Sequence, residues 1–196
     1  MNNTKENILD VAERLFAENG FAGTSIRAIV EEANVNIAAI NYHFKTKEGL
    51  FVAVIKRRFS EIESQRFSKL DSHLELTKQH PELEGVVRAF LEPLKMAFKT
   101  NNQIPMMLIR VFCESEELRE LIKPVFHETR SRFFTALKNV YRDMSDEEVQ
   151  WRFQFMISSM VGMIIFSKDM LSEFDEMDKS TMVEKLISQV ISGIKP

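Results

Sequence analysis

Apolar residues recur at three- and four-residue spacing along almost the whole chain, and no stretch of useful length alternates apolar with polar. That period belongs to the α-helix. Only six glycines and five prolines punctuate the 196 residues, so an all-α fold is expected, with few breaks. A first helix is predicted over about Lys5 to Asn19, capped by Asn3 or Thr4. Ile8, Val11, Ala12, Leu15 and Phe16 face inward, and Gly20 ends the helix as a left-handed residue. Thr24 or Ser25 caps a second helix that buries Ile26, Ile29, Val30 and Ala33. Asn34 takes a left-handed turn, which asparagine tolerates. Asn36 caps a third helix with Ile40 and Phe44 on its inner side. A fourth helix begins near Thr46 or Lys47 and carries Leu50, Phe51, Val54 and Ile55.

Beyond Ser68 the pattern weakens, and a loop or frayed helix end is expected as far as Glu82. Helical segments follow at roughly 82–100, 104–115, 117–142, 146–173 and 178–194, with Pro93, Pro105 and Pro124 starting or kinking helices. The single cysteine, Cys113, excludes an internal disulfide and fits a reducing cytosol. The opening MNNTKENILD lacks the regions of a signal peptide. The apolar run from Phe153 to Ser167 is shorter than the roughly 20 residues that cross a bilayer. A cytoplasmic chain without a membrane partner is therefore expected.

The second and third helices are separated by about three residues, the spacing of a helix-turn-helix unit. Net charge is −3, yet Lys45, Lys47, Lys56, Arg57 and Arg58 gather just after that unit, with Glu48 the only acid among them. A local basic surface is what phosphate binding needs, and equally what an ordinary solvated face presents. The stretch AERLFAENGFAGTSIRAIVEEANVNIAAINYHFKTKEGLF resembles the N-terminal domain of TetR/AcrR-type transcriptional regulators. The marks are Phe16, Gly20, Thr24, Ser25, Ile29, Ala33, Val35, Ile40, His43, Phe44, Lys47 and Leu50. The chain departs from the family pattern at Val30, at Asn34, and at Asn41, where many members have tyrosine, so a different base preference is implied. The resemblance implies a DNA-binding helix-turn-helix domain over 1–46 and a ligand-binding and dimerisation domain over 47–196, with double-stranded operator DNA as partner. Ile37, Ala38 and Asn41 would meet base edges: asparagine pairs with adenine through two hydrogen bonds, and small apolar groups touch thymine methyls. Tyr42, His43 and Lys47 would reach phosphates, Lys47 with the help of a helix N-terminus. Asn36 would stand at the entry of the reading helix, and Thr24, Ser25 and Arg27 would grip the backbone of the other strand.

The remainder is rich in phenylalanine and methionine. Methionine suits a cavity with a variable occupant, although the same stripe serves a solid core. Phe90, Leu94, Phe98, Met107, Phe126, Trp151, Phe155 and Ser159 are candidates to line such a cavity, and Arg110 or Arg130 to anchor an acidic head group. VQWRFQFMISSMVGM is similar to the corresponding helix of fatty-acid-responsive members, which implies a hydrophobic or amphipathic effector such as a fatty acid or acyl thioester that relieves repression. The last two helices carry more apolar surface than one core face needs, so they are expected to form a homodimer seam, with Ile187 and Val190 within it. The rival readings are a helical protein-interaction module and a small helical enzyme. Against the enzyme, no Glu-x-x-His pair, His-Glu-x-x-His motif or glycine-rich phosphate loop occurs, and no cofactor is implied.

Overall fold

The computed structural model of the chain describes residues 4–100, 116–166 and 178–195. Regular structure among them is entirely helical: α1 (Thr4–Gly23), α2 (Ile26–Glu32), α3 (Ile37–His43), α4 (Lys47–Leu76), α5 (Leu83–Leu91), α6 (Leu94–Thr100), α7 (Glu116–Ile122), a 3-10 turn (Lys123–Phe126), α8 (His127–Val140), α9 (Asp146–Phe166) and α10 (Lys179–Ile194). No helix among the described residues is long and apolar enough to cross a membrane. They form two compact units. The first holds α1 to α3, α4 as far as Ser60, and α7. The second holds α4 from Glu61 onward, with α5, α6 and α8 to α10. The division thus falls inside α4, whereas the sequence places a boundary before it.

In the first unit the core is Ile8, Leu9, Ala12, Phe16, Ile29, Ile40, Phe44, Leu50, Phe51, Val54 and Ile55. Phe51 meets Phe16 and Phe21 edge-on, at 5.0 Å between ring centroids in each case, a geometry the ring quadrupoles favour. Gly20 sits at φ 73°, ψ 175° as a kink inside α1. This is an extended, positive-φ conformation open to glycine alone, not the left-handed helix end expected. Thr24 closes the kink: its hydroxyl donates to the carbonyls of Gly20 (2.8 Å) and Leu15 (3.0 Å). Asn34 has the expected positive φ, 50°.

The second unit has a larger core built on Leu70, Val86, Val87, Phe90, Leu91, Phe133, Leu137, Val149, Phe153, Met156, Val183, Ile187 and Val190. Each fully buried side chain of this size contributes about 1.5–3 kcal/mol by leaving water. Three boundaries differ from the sequence reading. α4 runs on to Leu76, because Phe67, Leu70 and Leu74 pack on this core at helical spacing. The predicted 82–100 segment is two helices that break at Glu92 and Pro93, and the 117–142 segment is α7, the 3-10 turn and α8, broken around Pro124. In both places proline removes an N–H and clashes with the preceding turn. The predicted helix at 104–115, and everything beyond Phe166 in the 146–173 segment, lie outside the described residues.

Candidate nucleic-acid interface

Helix α3 is seven residues long, too short to hold its shape alone. Both of its ends are fixed. The Asn36 carboxamide oxygen accepts from the Ala38 N–H at 2.9 Å, and Phe44 N–H donates back to the Ile40 carbonyl at 2.8 Å. Ile40 and Phe44 are buried on one side. Ile37, Ala38, Asn41 and Tyr42 form a stripe on the other, all exposed, with Ile37 at 53% and Tyr42 at 76%. His43 lies between the two faces, half-buried, with its ring edge-on to Tyr42 at 4.9 Å. A short polar-tipped helix that leaves an isoleucine and a tyrosine in water is poorly explained by its own fold and well explained by a surface that covers it.

The flanking elements bring further groups to this end of the unit. Ser25 caps α2 by accepting from the Ala28 N–H at 3.0 Å, and Arg27 on that helix is exposed. Thr24 behaves differently from Ser25: it is buried and its hydroxyl is spent on the two carbonyls of the α1 kink. Lys45 has φ 70°, which turns the chain sharply between α3 and α4. Thr46 then caps α4, its hydroxyl accepting from the Gly49 N–H at 3.0 Å. Lys47 opens α4 with its ammonium 4.3 Å from the centroid of the Phe21 ring, a cation–π contact that holds the side chain in place. A side chain at Gly49 would place Cβ 2.1 Å from the Phe44 carbonyl oxygen, so only glycine lets α4 start this close to the end of α3.

The expected basic cluster is partly dissolved. Lys45, Lys47 and Lys56 keep to the surface or its margin, but Arg57 and Arg58 are bound to carboxylates of α1. No cluster of three or more metal-ligating side chains occurs among the described residues.

In the second unit the proposed ligand residues that are described separate into four groups. Phe90 and Leu94 are buried in the solid core, Phe90 edge-on to Phe133 (5.0 Å) and Phe153 (5.8 Å). Phe98 and Ser159 are half-buried, as is Phe126 in the 3-10 turn. Trp151 and Phe155 stand on the outer face of α9, 69% and 48% exposed. Arg130 lines an open groove of about 210 Å³ with His127, Ser131, Phe134 and Gln150. Met107 and Arg110 lie outside the described residues. Sequence reading missed Arg66. It occupies a core position in the stripe Ile62, Arg66, Leu70, donates through Nε to the Phe90 carbonyl at 2.8 Å, and lies 4.0 Å from the Phe90 ring centroid. Burial pushes its guanidinium down to about 9, against the pull of Glu63.

Comparison with known proteins shows the family. A family model described as bacterial regulatory proteins, tetR family, matches residues 8–54. A second, described as a tetracyclin repressor-like C-terminal domain, matches residues 86–194, more than half of the chain. The chain belongs to the tetR family. Over 47 residues, 24% of this chain and 23% of the relative, it is 51% identical to a probable HTH-type transcriptional regulator, YttP, of Bacillus subtilis (strain 168). Along 99% of its length it is 22% identical to the HTH-type regulator YerO of the same organism, of which 66% is covered. The chain therefore spans less than two thirds of the length of these curated relatives. Among solved structures it is similar to HlyIIR, a hemolysin II transcriptional regulator: 26% identity, TM-score 0.58, and coverage of 95% of this chain and 96% of that one. The first of the two family models covers most of α1, all of α2 and α3, and the start of α4.

Proposed function

We propose that this chain is a homodimeric repressor that reads a palindromic duplex with α3 and loosens its hold when a hydrophobic or amphipathic small molecule enters the second unit. The exposed stripe of α3 carries the DNA half of this reading. Ile37, Ala38 and Asn41 face the bases, while Tyr42, His43, Lys47, Ser25, Arg27 and the Asn36 cap face the backbone. Thr24 leaves the contact set, because its hydroxyl already serves the α1 kink.

The open face of α9 supports a two-fold seam. Trp151 and Phe155 stand one turn apart on it, and Gly193 of α10 lets the Phe155 ring lie directly on the helix backbone. Ile187 and Val190, expected at that seam, are instead 1% exposed within the unit's own core; the inner stripe of α10 is consumed by its own chain. Two copies read two half-sites about one helical turn apart. For the effector, the half-buried Phe98, Phe126 and Ser159 and the Arg130 groove are the candidates that keep accessible surface, whereas Phe90 and Leu94 offer only a wall. Effector and operator then weaken each other by the same factor, typically 5- to 150-fold.

The test begins with a palindromic duplex selected from a random pool by the full chain. Lys47→Ala is expected to weaken every duplex alike and to lower the salt slope by about one unit per subunit. Asn41→Ala is expected to relax preference at one base pair of each half-site, by about 1–3 kcal/mol. A uniform loss in Asn41→Ala moves that residue to the backbone contacts, and no selected duplex at all removes the DNA-binding reading.

A further inference from the structure

Five charged side chains of the first unit are joined in a cluster that the roles above leave unused. Glu6, Asp10 and Glu13 follow one another at spacings of four and three on α1, so they form a single stripe. Arg57 of α4 serves all three: Nη1 donates to Glu6 at 3.2 Å and to Asp10 at 2.8 Å, and Nη2 donates to Glu13 at 2.7 Å. Arg58 donates through Nε to the other Glu13 oxygen at 2.6 Å. Glu13 is buried, and each of its oxygens is held by a different guanidinium. Three carboxylates against two guanidiniums leave the cluster at −1. That charge repels phosphate.

The cluster has a geometric task instead. The apolar contact between α1 and α4, where Phe51 meets Phe16 and Phe21, is non-directional. The guanidinium fork has fixed angles, so it sets the axial register of one helix on the other. α1 is in turn the frame of the reading head. Asn7 donates to the Ala33 carbonyl at 2.8 Å, Arg14 pairs with Glu32 of α2, and the Thr24 hydroxyl ties the start of α2 to the α1 kink. α3 packs on both α1 and α2. The C-terminal end of α3 is held at its junction with α4, so a shift of α1 along α4 tilts α3 about that junction.

We propose that Glu13, Arg57 and Arg58 are positioning residues for operator reading, setting the register of α1, and through it α3, on α4 without touching DNA. The proposal rests on the operator-binding reading above. It is tested in the full chain with Glu13→Gln and, as a milder break, Arg58→Gln, on the duplex selected by the unsubstituted protein. Binding is titrated across a range of salt, and the active fraction is fixed by stoichiometric titration. Both variants are expected to bind roughly 5- to 150-fold more weakly per folded molecule, with the salt slope unchanged. Three results overturn it. Glu13→Gln binds as tightly as the unsubstituted chain or tighter, as freed arginines meeting phosphate would. Arg58→Gln lowers the salt slope by about one unit per subunit, the mark of a phosphate contact. Or the melting temperature falls while the affinity of the folded fraction stays, the mark of a purely stabilising cluster. If Glu13→Gln does not fold, Arg58→Gln, with its single bond to Glu13, decides. If the unsubstituted chain selects no duplex, the underlying reading fails first and is seen to do so.

Discussion

A glycine with no unusual backbone angle sets the junction between α3 and α4. Gly49 lies in the first turn of α4, and the space beside it is filled by the Phe44 carbonyl. In Gly49→Ala the new methyl meets a backbone atom that cannot rotate away, so α4 must back off from the end of α3. The cost is expected at about 1–3 kcal/mol, that of an overpacked site. Urea unfolding reads it as a lower midpoint at unchanged slope. An unchanged midpoint means that α3 and α4 are not pressed together here. Lys47 is two residues away, so weaker duplex binding is expected to accompany the loss.

Among the elements, the join of α8 to α10 carries a pH signature. The Tyr141 hydroxyl, just past the end of α8, donates to the Ile194 carbonyl at the end of α10, and Arg152 Nε donates to the same oxygen at 3.3 Å. Burial pushes the Tyr141 hydroxyl up to about 12, opposed by the charge of Arg152. The folded value lies above the ordinary 10.0, so the folded state holds the proton more tightly than the unfolded chain. Its contribution is full below pH 10 and is lost as pH rises toward 12. Thermal melts of the unsubstituted protein are expected to fall across that window and those of Tyr141→Phe to fall less. At neutral pH the phenylalanine variant loses one hydrogen bond, about 0.5–1.5 kcal/mol, since Arg152 still serves the carbonyl. Parallel pH curves for the two proteins would exclude this role for Tyr141.

For the whole molecule the discriminating contrast lies between two faces of the last helices. Trp151→Glu with Phe155→Glu puts charge on the open face of α9, and Ile187→Glu puts it in the core of the second unit. If the open face is the dimer seam, the first pair gives a folded monomer. Loss of two aromatic anchors costs at least about 2 kcal/mol, or roughly thirtyfold in the dimer constant. Ile187→Glu is expected to unfold the second unit, because an unpaired charge is buried there. Light scattering with circular dichroism separates the two outcomes. A persistent dimer in the surface pair places the seam elsewhere.

What the sequence determined by itself is what acts over about one helical turn. The period of the apolar residues made the fold all-α. Asn36 caps the helix it was expected to cap, Ser25 rather than its alternative Thr24 caps α2, and Asn34 turns left-handed. The two stripes of α3 were legible because Ile40 and Phe44 account for its only inward face. Local chemistry also marked the breaks at Pro93 and Pro124, though not that each divides one expected segment into separate helices. Tertiary structure decided whatever needs a partner distant in the chain. Arg57 and Arg58 read as free cations until α4 lies on α1 and brings them to carboxylates 44 to 51 residues upstream. Thr24 reads as a surface hydroxyl until Gly20 folds its carbonyl back onto it. Phe90 and Trp151 are equally apolar on paper, yet one is core and the other surface. Helical periodicity says that a residue faces something; packing, which is long-range and specific to each pair of helices, decides what it faces.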